Sequence, residues 1–180
     1  RPLAGPLCDP AFATFIIGGE RGCHPHTQTG GVLVRGASPG VRARLRSVGA
    51  SVVLRNGRPA KKEYRTYIVK GDAMDDLRMM REVVERWLKR QEEWPDVLLL
   101  DGGETHLSTI RSMLDEHGVQ DRFILAALAK REETLHREGY EPIVLDRRGR
   151  VFVHARDEAH RFVNTFHWKR RKKSRLGDPL

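Results

Sequence analysis

Residues Pro95–Gly103 read PDVLLLDGG. Pro95-Asp96 opens the stretch, Val97–Leu100 is an unbroken apolar run, and Asp101-Gly102-Gly103 closes it. An apolar run without alternation predicts a strand buried on both faces of a sheet, flanked by helices. Asp101 then stands at the carboxyl end of that strand, the edge where open α/β sheets carry their sites. Gly102 and Gly103 remove side chains next to it, so that a phosphate backbone or a hydrated ion could come close. An ordinary Asp-Gly turn is the competing reading of the same residues.

The flanking sequence supports an α/β domain. Upstream, Val48–Leu54 is apolar and β-branched and ends at Asn56-Gly57, a hairpin signal, and Glu63–Val69 (EYRTYIV) alternates as the returning strand. A helix is expected from a cap at Asp72 to about Gln91, with Leu77, Met80, Val84, Trp87 and Leu88 on its apolar stripe. Downstream, a second helix covers about Thr105–His117, with Leu107, Ile110, Met113 and Leu114 inward and Gly118 just past its end. Phe123–Leu128 reads as another buried strand. Glu141–Asp146 and Arg150–His154 read as short strands around Arg148-Gly149. A last helix is expected from about Arg156 to Lys172, burying Ala159, Phe162, Val163 and Phe166. The order hairpin, helix, strand, helix, strand, helix gives a mixed sheet with helices against it.

Composition narrows the class. The chain has 180 residues, 39% of them apolar and 32% charged, enough for a core and too apolar for disorder throughout. Its two cysteines, Cys8 and Cys23, exclude a disulfide scaffold and a Cys-rich zinc fold. Cys23, His24 and His26, with Cys8, match no standard zinc spacing. No apolar run approaches the ~20 residues of a membrane span, and no signal-peptide pattern opens the chain, so a cytoplasmic protein without a membrane partner is expected. The net charge of +9 and pI near 10.1 favour a polyanionic partner.

The chain changes character at Val48. Residues 1–47 hold 8 Gly and 5 Pro, the remaining 133 only 9 Gly and 4 Pro, and no lysine precedes Lys61. Phe12–Ile17 and Gly31–Val34 are short apolar runs that could be strands, although neither alternates cleanly and Gly-Gly pairs flank both. An irregular Gly/Pro/Arg-rich segment is therefore expected over 1–47, a folded domain over 48–174 and the start of a linker over 175–180.

Two more stretches carry candidate chemistry. In Arg156–Phe162 (RDEAHRF), Asp157 shares a helix face with His160 and Arg161. Asp157 is either an acid in a first helical turn paired with Arg161, or a metal-binding carboxylate with His160 as its support or proton carrier. Phosphodiester hydrolysis by Mg²⁺ needs clustered oxygen ligands, and Asp101 with Asp157 would supply two. The run Lys169, Arg170, Arg171, Lys172 and Lys173, preceded by Phe166, His167 and Trp168, is suited to phosphate-backbone contact. Lys61-Lys62 and Lys130-Arg131 are smaller basic spots.

These residues belong to an ordered set of blocks: RPAKKEYR (58–65), MREV (80–83), PDVLLLDGG (95–103), LAKRE (128–132), EPIVL (141–145), RDEAHRF (156–162) and TFHWKRRKKS (165–174). Residues 48–177 thereby resemble the carboxyl-terminal nuclease half of UvrC, the excinuclease subunit of bacterial nucleotide excision repair. The resemblance implies a ribonuclease H-like fold and an endonuclease that makes the incision 5′ of a DNA lesion. It implies catalysis with Mg²⁺ or Mn²⁺ at Asp101 and Asp157 and no small-molecule cofactor, and His160 joins them as a catalytic candidate from its place on the helix face. The implied partners are damaged double-stranded DNA and the other excinuclease subunits, UvrB among them.

Departures from the family pattern are local. The family's first metal-binding aspartate lies on the opening strand, in a block resembling FDISH shortly before the position of Val48. Ser38-Pro39-Gly40 stands there, and the only acids upstream of it are Asp9 and Glu20. Arg150 takes a place where the family often has His or Tyr, and Glu104 and His106 stand where Lys and Gln are usual. A chain that keeps the fold and binds DNA without cutting is the alternative these departures leave.

Overall fold

The computed structural model describes residues 10–20, 47–69, 75–129 and 133–175. The apolar run forms β5 (Val97–Asp101), buried at every position. It lies parallel to both of its neighbours, β1 (Phe12–Glu20) and β6 (Ile124–Ala129). Beyond β1 comes β2 (Val48–Arg55), antiparallel to it, and β2 carries β3 (Arg58–Pro59) and β4 (Arg65–Ile68) as the returning arm of the hairpin. Beyond β6 come β7 (Thr134–His136) and β8 (Ile143–Val144), both antiparallel. The result is an eight-stranded mixed sheet, as the sequence predicts.

β1 corrects part of the reading of residues 1–47 as irregular. Phe12–Ile17 lacks alternation because both faces of the strand are covered. Phe15 and Ile17 join the core on one side of the sheet and Ile16 the core on the other. A central strand reads as a continuous apolar run. Its Gly18 meets the second helix layer closely: a Cβ there would lie 3.3 Å from that of Met80. Asp9, Gly31–Val34, Cys8, Cys23, His24, His26, Asp72 and Lys130-Arg131 lie outside the described residues.

Three helices cover the sheet. α1 (Asp76–Leu88) is capped by Asp75, whose carboxylate accepts from the backbone N–H of Leu77 and Arg78. It buries Met79, Met80, Val83, Val84 and Trp87. α2 (Glu104–Glu116) buries Leu107, Ile110, Met113 and Leu114. Both pack on the face that carries Ile16, Leu98 and Leu100. α3 (Arg150–Arg175) crosses the opposite face, against Phe15, Ile17, Val52, Leu99 and Leu128. It takes in Arg150–His154, which the sequence reading expects as a short strand. Phe152, Ala155, Ala159 and Val163 explain the difference: all are buried, at spacings of three and four, so they point together only on a helix. No described helix is long and apolar enough to cross a membrane.

Candidate active site

Asp101 ends β5 with its side chain 4% exposed. Side chains alternate along a strand, so Asp101 points to the same face as Leu99, the face covered by α3. There α3 presents His160, whose Nε2 lies 3.9 Å from Asp101 Oδ2. The imidazole remains 28% exposed, so it connects a buried carboxylate to solvent.

The two glycines after Asp101 have different work. A Cβ on Gly102 would lie 2.5 Å from Cγ of His106, so this glycine makes room for the His106 ring as α2 begins. Gly103 has nothing within 4 Å of a Cβ and leaves the edge beside Asp101 open. His106 thus stands one residue from the acid.

Asp157 sits three residues before His160 on α3. Its side chain is 64% exposed and accepts from Arg156 at 3.2 Å, and that guanidinium also reaches Glu133 at 3.4 Å. Arg161 pairs with Glu158: Nε donates to Oε2 at 2.7 Å and Nη2 to Oε1 at 2.6 Å. Glu158 is buried and also accepts from the Tyr64 hydroxyl at 3.0 Å, which ties the loop after β3 to α3. Tyr64 packs edge-on against Phe162, ring centres 5.1 Å apart. The Arg161 hydrogen bond, aided by Tyr64, holds the Glu158 carboxyl below its usual range. Burial, with Glu158 as acceptor, pushes the Tyr64 hydroxyl up. Arg161 is raised in turn by Glu158.

The basic run occupies the last turns of α3, where Lys169, Arg170 and Lys172 are exposed. Arg171 and Lys173 share the helix, and their side chains are not described. Lys61 and Lys62 are also exposed.

Mg²⁺ or Mn²⁺ would need about six donors, largely oxygens and including carboxylates. Among the described residues, no three or more His, Cys, Asp or Glu side chains are grouped to hold a metal ion. Asp157 therefore does not join Asp101 and His160 in such a group. The β1–β5 ladder ends at the pair Ile16–Leu100; Ile17 is the next residue on β1 as Asp101 is on β5, and by strand alternation each follows the face of Phe15 and Leu99. An apolar side chain takes that place, and the described donors do not complete a divalent-ion site.

A profile of the UvrC RNase H endonuclease domain matches residues 43–163. UvrABC system protein C of Salinibacter ruber is 40% identical over 145 residues, covering 74% of this chain and 23% of that protein. The protein of the same name from Desulfatibacillum aliphaticivorans is 39% identical over 142 residues, covering 71% and 24%. The chain thus spans about a quarter of the length of the curated relatives it matches. Among solved structures, Ciona intestinalis endonuclease V in complex with a DNA 24-mer overlaps with a TM-score of 0.34 and 16% identity, over 67% of this chain and 46% of that one. That likeness is too loose to carry an argument.

Proposed function

The chain belongs to the UvrC RNase H endonuclease domain family, and from that premise we propose that it cuts one strand of damaged double-stranded DNA, 5′ of the lesion, in nucleotide excision repair. The observation that carries this reading is the Asp101–His160 pair at the open carboxyl edge of the sheet. Hydrolysis of a phosphodiester needs a proton taken from the attacking water and one given to the leaving sugar oxygen. The part-exposed His160 ring, 3.9 Å from the buried Asp101 carboxylate, supports a role for this residue in either transfer. His106 borders the same edge.

Mg²⁺ or Mn²⁺ belongs to this reading as an expectation. Asp101 would be one of its ligands, and the roles assigned to the other side chains stop at the proton. Asp157 is proposed as a contributor to metal binding only through the resemblance, and its exposed position makes it the weaker candidate. Lys169, Arg170 and Lys172, with Arg171 and Lys173 on the same helix, are proposed to contact DNA phosphates without reading sequence. UvrB is the proposed protein partner, and the cytoplasm the proposed location.

A nicking assay tests the reading, with a lesion-bearing duplex, the other subunits of the UvrABC system, and Mg²⁺ or Mn²⁺. The wild-type chain should nick 5′ of the lesion, and Asp101→Asn and His160→Ala should each abolish nicking. Asp157→Asn reports on that residue's role in the same assay. Tight DNA binding without any nicking by wild type would replace this reading with a binding module.

A further inference from the structure

Trp168 stands on the last turns of α3 with 62% of its surface exposed. The other two tryptophans are packed: Trp87 is buried, and Trp94 stacks against it and Phe123. Indole rings dominate cores and interfaces because they bury much area, so one left in water on a helix face is available to a partner.

Its surroundings say which partner. Lys169, Arg170 and Lys172 are exposed on the same stretch of helix. Lys172 Nζ lies 5.9 Å from the Trp168 ring centre, and Arg170 Cζ lies 5.9 Å from that of Phe166. Each aromatic is thus followed one turn later by a cation, on a chain whose net charge is +9. A π face bordered by cations that follow a phosphate backbone suits unpaired nucleic acid, in which a base can stack on the ring. A fully paired duplex hides its base faces and can engage only the cations.

We propose that Trp168 is a stacking platform for an unpaired DNA base, with Lys169, Arg170 and Lys172 on the flanking phosphates. The proposal rests on the reading of the chain as a DNA nuclease and adds a preference for opened strands. Trp168 lies eight residues beyond His160, about 12 Å along the helix axis. That distance is roughly three or four nucleotides at the stacked duplex spacing of about 3.4 Å, and fewer where an unpaired strand is extended. A base held there would keep the DNA open within a few nucleotides of the bond placed at Asp101 and His160.

The test uses the full chain and three DNAs of matched sequence: a single strand, a paired duplex, and a duplex with a central unpaired bubble. Tryptophan emission reports stacking directly, because Trp168 is the most exposed of the three indoles. The single strand and the bubble should quench emission and bind about tenfold more tightly than the duplex. Trp168→Ala should remove most of the quenching and that preference, while duplex affinity stays within about twofold, since phosphate contacts are retained. Trp168→Phe should restore most of the preference. Duplex binding with unmoved emission and no preference for unpaired bases overturns the stacking proposal and leaves the nuclease reading standing. A preference that survives in Trp168→Ala also overturns it. Tighter binding of single-stranded RNA than of DNA of the same sequence overturns the assignment to DNA. Failure to bind any DNA overturns both readings.

Discussion

Ile17 follows Ile16 on β1 as Asp101 follows Leu100 on β5, at the point where the ladder between the two strands ends, and strand alternation directs both side chains to the face under α3. A carboxylate at Ile17 would bring a second oxygen donor to Asp101. The substitution Ile17→Asp is therefore expected to raise Mn²⁺ affinity by about tenfold or more, since carboxylate number sets affinity for hard cations. Titration of free Mn²⁺ by electron paramagnetic resonance measures this. Adding Asp101→Asn should abolish the gain. Ile17 is 1% exposed, so the variant should melt below wild type in chelator and recover part of the difference in Mn²⁺. Equal Mn²⁺ affinity in wild type and Ile17→Asp would show that the ion has its ligands elsewhere.

Glu158 is held ionised by Arg161 and Tyr64 in a buried position. Its pKa in the folded chain is lower than the value of about 4.3 for an unperturbed Glu. Such a group contributes stability that is complete above that pH and is lost as pH falls through the folded-state value. Glu158→Gln should therefore lower stability at neutral pH by about 1–3 kcal/mol. The gap to wild type should narrow in denaturant melts taken below about pH 4. Tyr64→Phe should cost about 1 kcal/mol, because only the hydroxyl donor is removed. A gap that stayed constant into acid would mean that the carboxylate charge is not what matters.

Gly49 lets β2 lie directly on α1. A Cβ there would sit 2.3 Å from Val83 Cγ2 and 3.0 Å from the Ile17 carbonyl oxygen. Gly49→Ala should destabilise by about 1–3 kcal/mol through overpacking. The double variant with Val83→Ala should recover part of that loss, read as a shift in Tm. Additive losses would indicate that the backbone contact with Ile17, and not Val83, is limiting.

Residues near in sequence carried most of the legible signal. PDVLLLDGG placed Asp101 correctly because burial on two faces and a turn leave a local mark. β1 was harder to read, since an apolar run flanked by glycines has no period, and its partners β2 and β5 are distant in the chain. The start of α3 reads locally as strand because RVFVH is a short β-branched and aromatic run, whereas the spacing of Phe152, Ala155 and Ala159 favours a helix. Asp157 and His160 share a broad helix face; the sheet lies against Ala155 and Ala159, His160 reaches Asp101, and Asp157 pairs with Arg156. The Tyr64–Glu158 bond joins residues 94 positions apart and has no local signature.

The basic end of α3 makes a prediction that needs no catalysis. Lys169, Arg170 and Lys172 are exposed along one stretch of helix. Each phosphate that a cation neutralises releases counterions, so the logarithm of affinity falls linearly with the logarithm of salt, by about 0.9 per contact on duplex DNA. Replacing all three by Gln should weaken duplex binding and flatten that slope by up to about 2.7. Helix content by circular dichroism should hold, because Gln is a comparable helix former. Trp168 stays in place, so any stacking on unpaired bases should persist on top of the reduced electrostatic attraction. An unchanged salt slope would identify the run as solvated surface and move the phosphate contacts to other cations, with Lys61 and Lys62 the next to substitute.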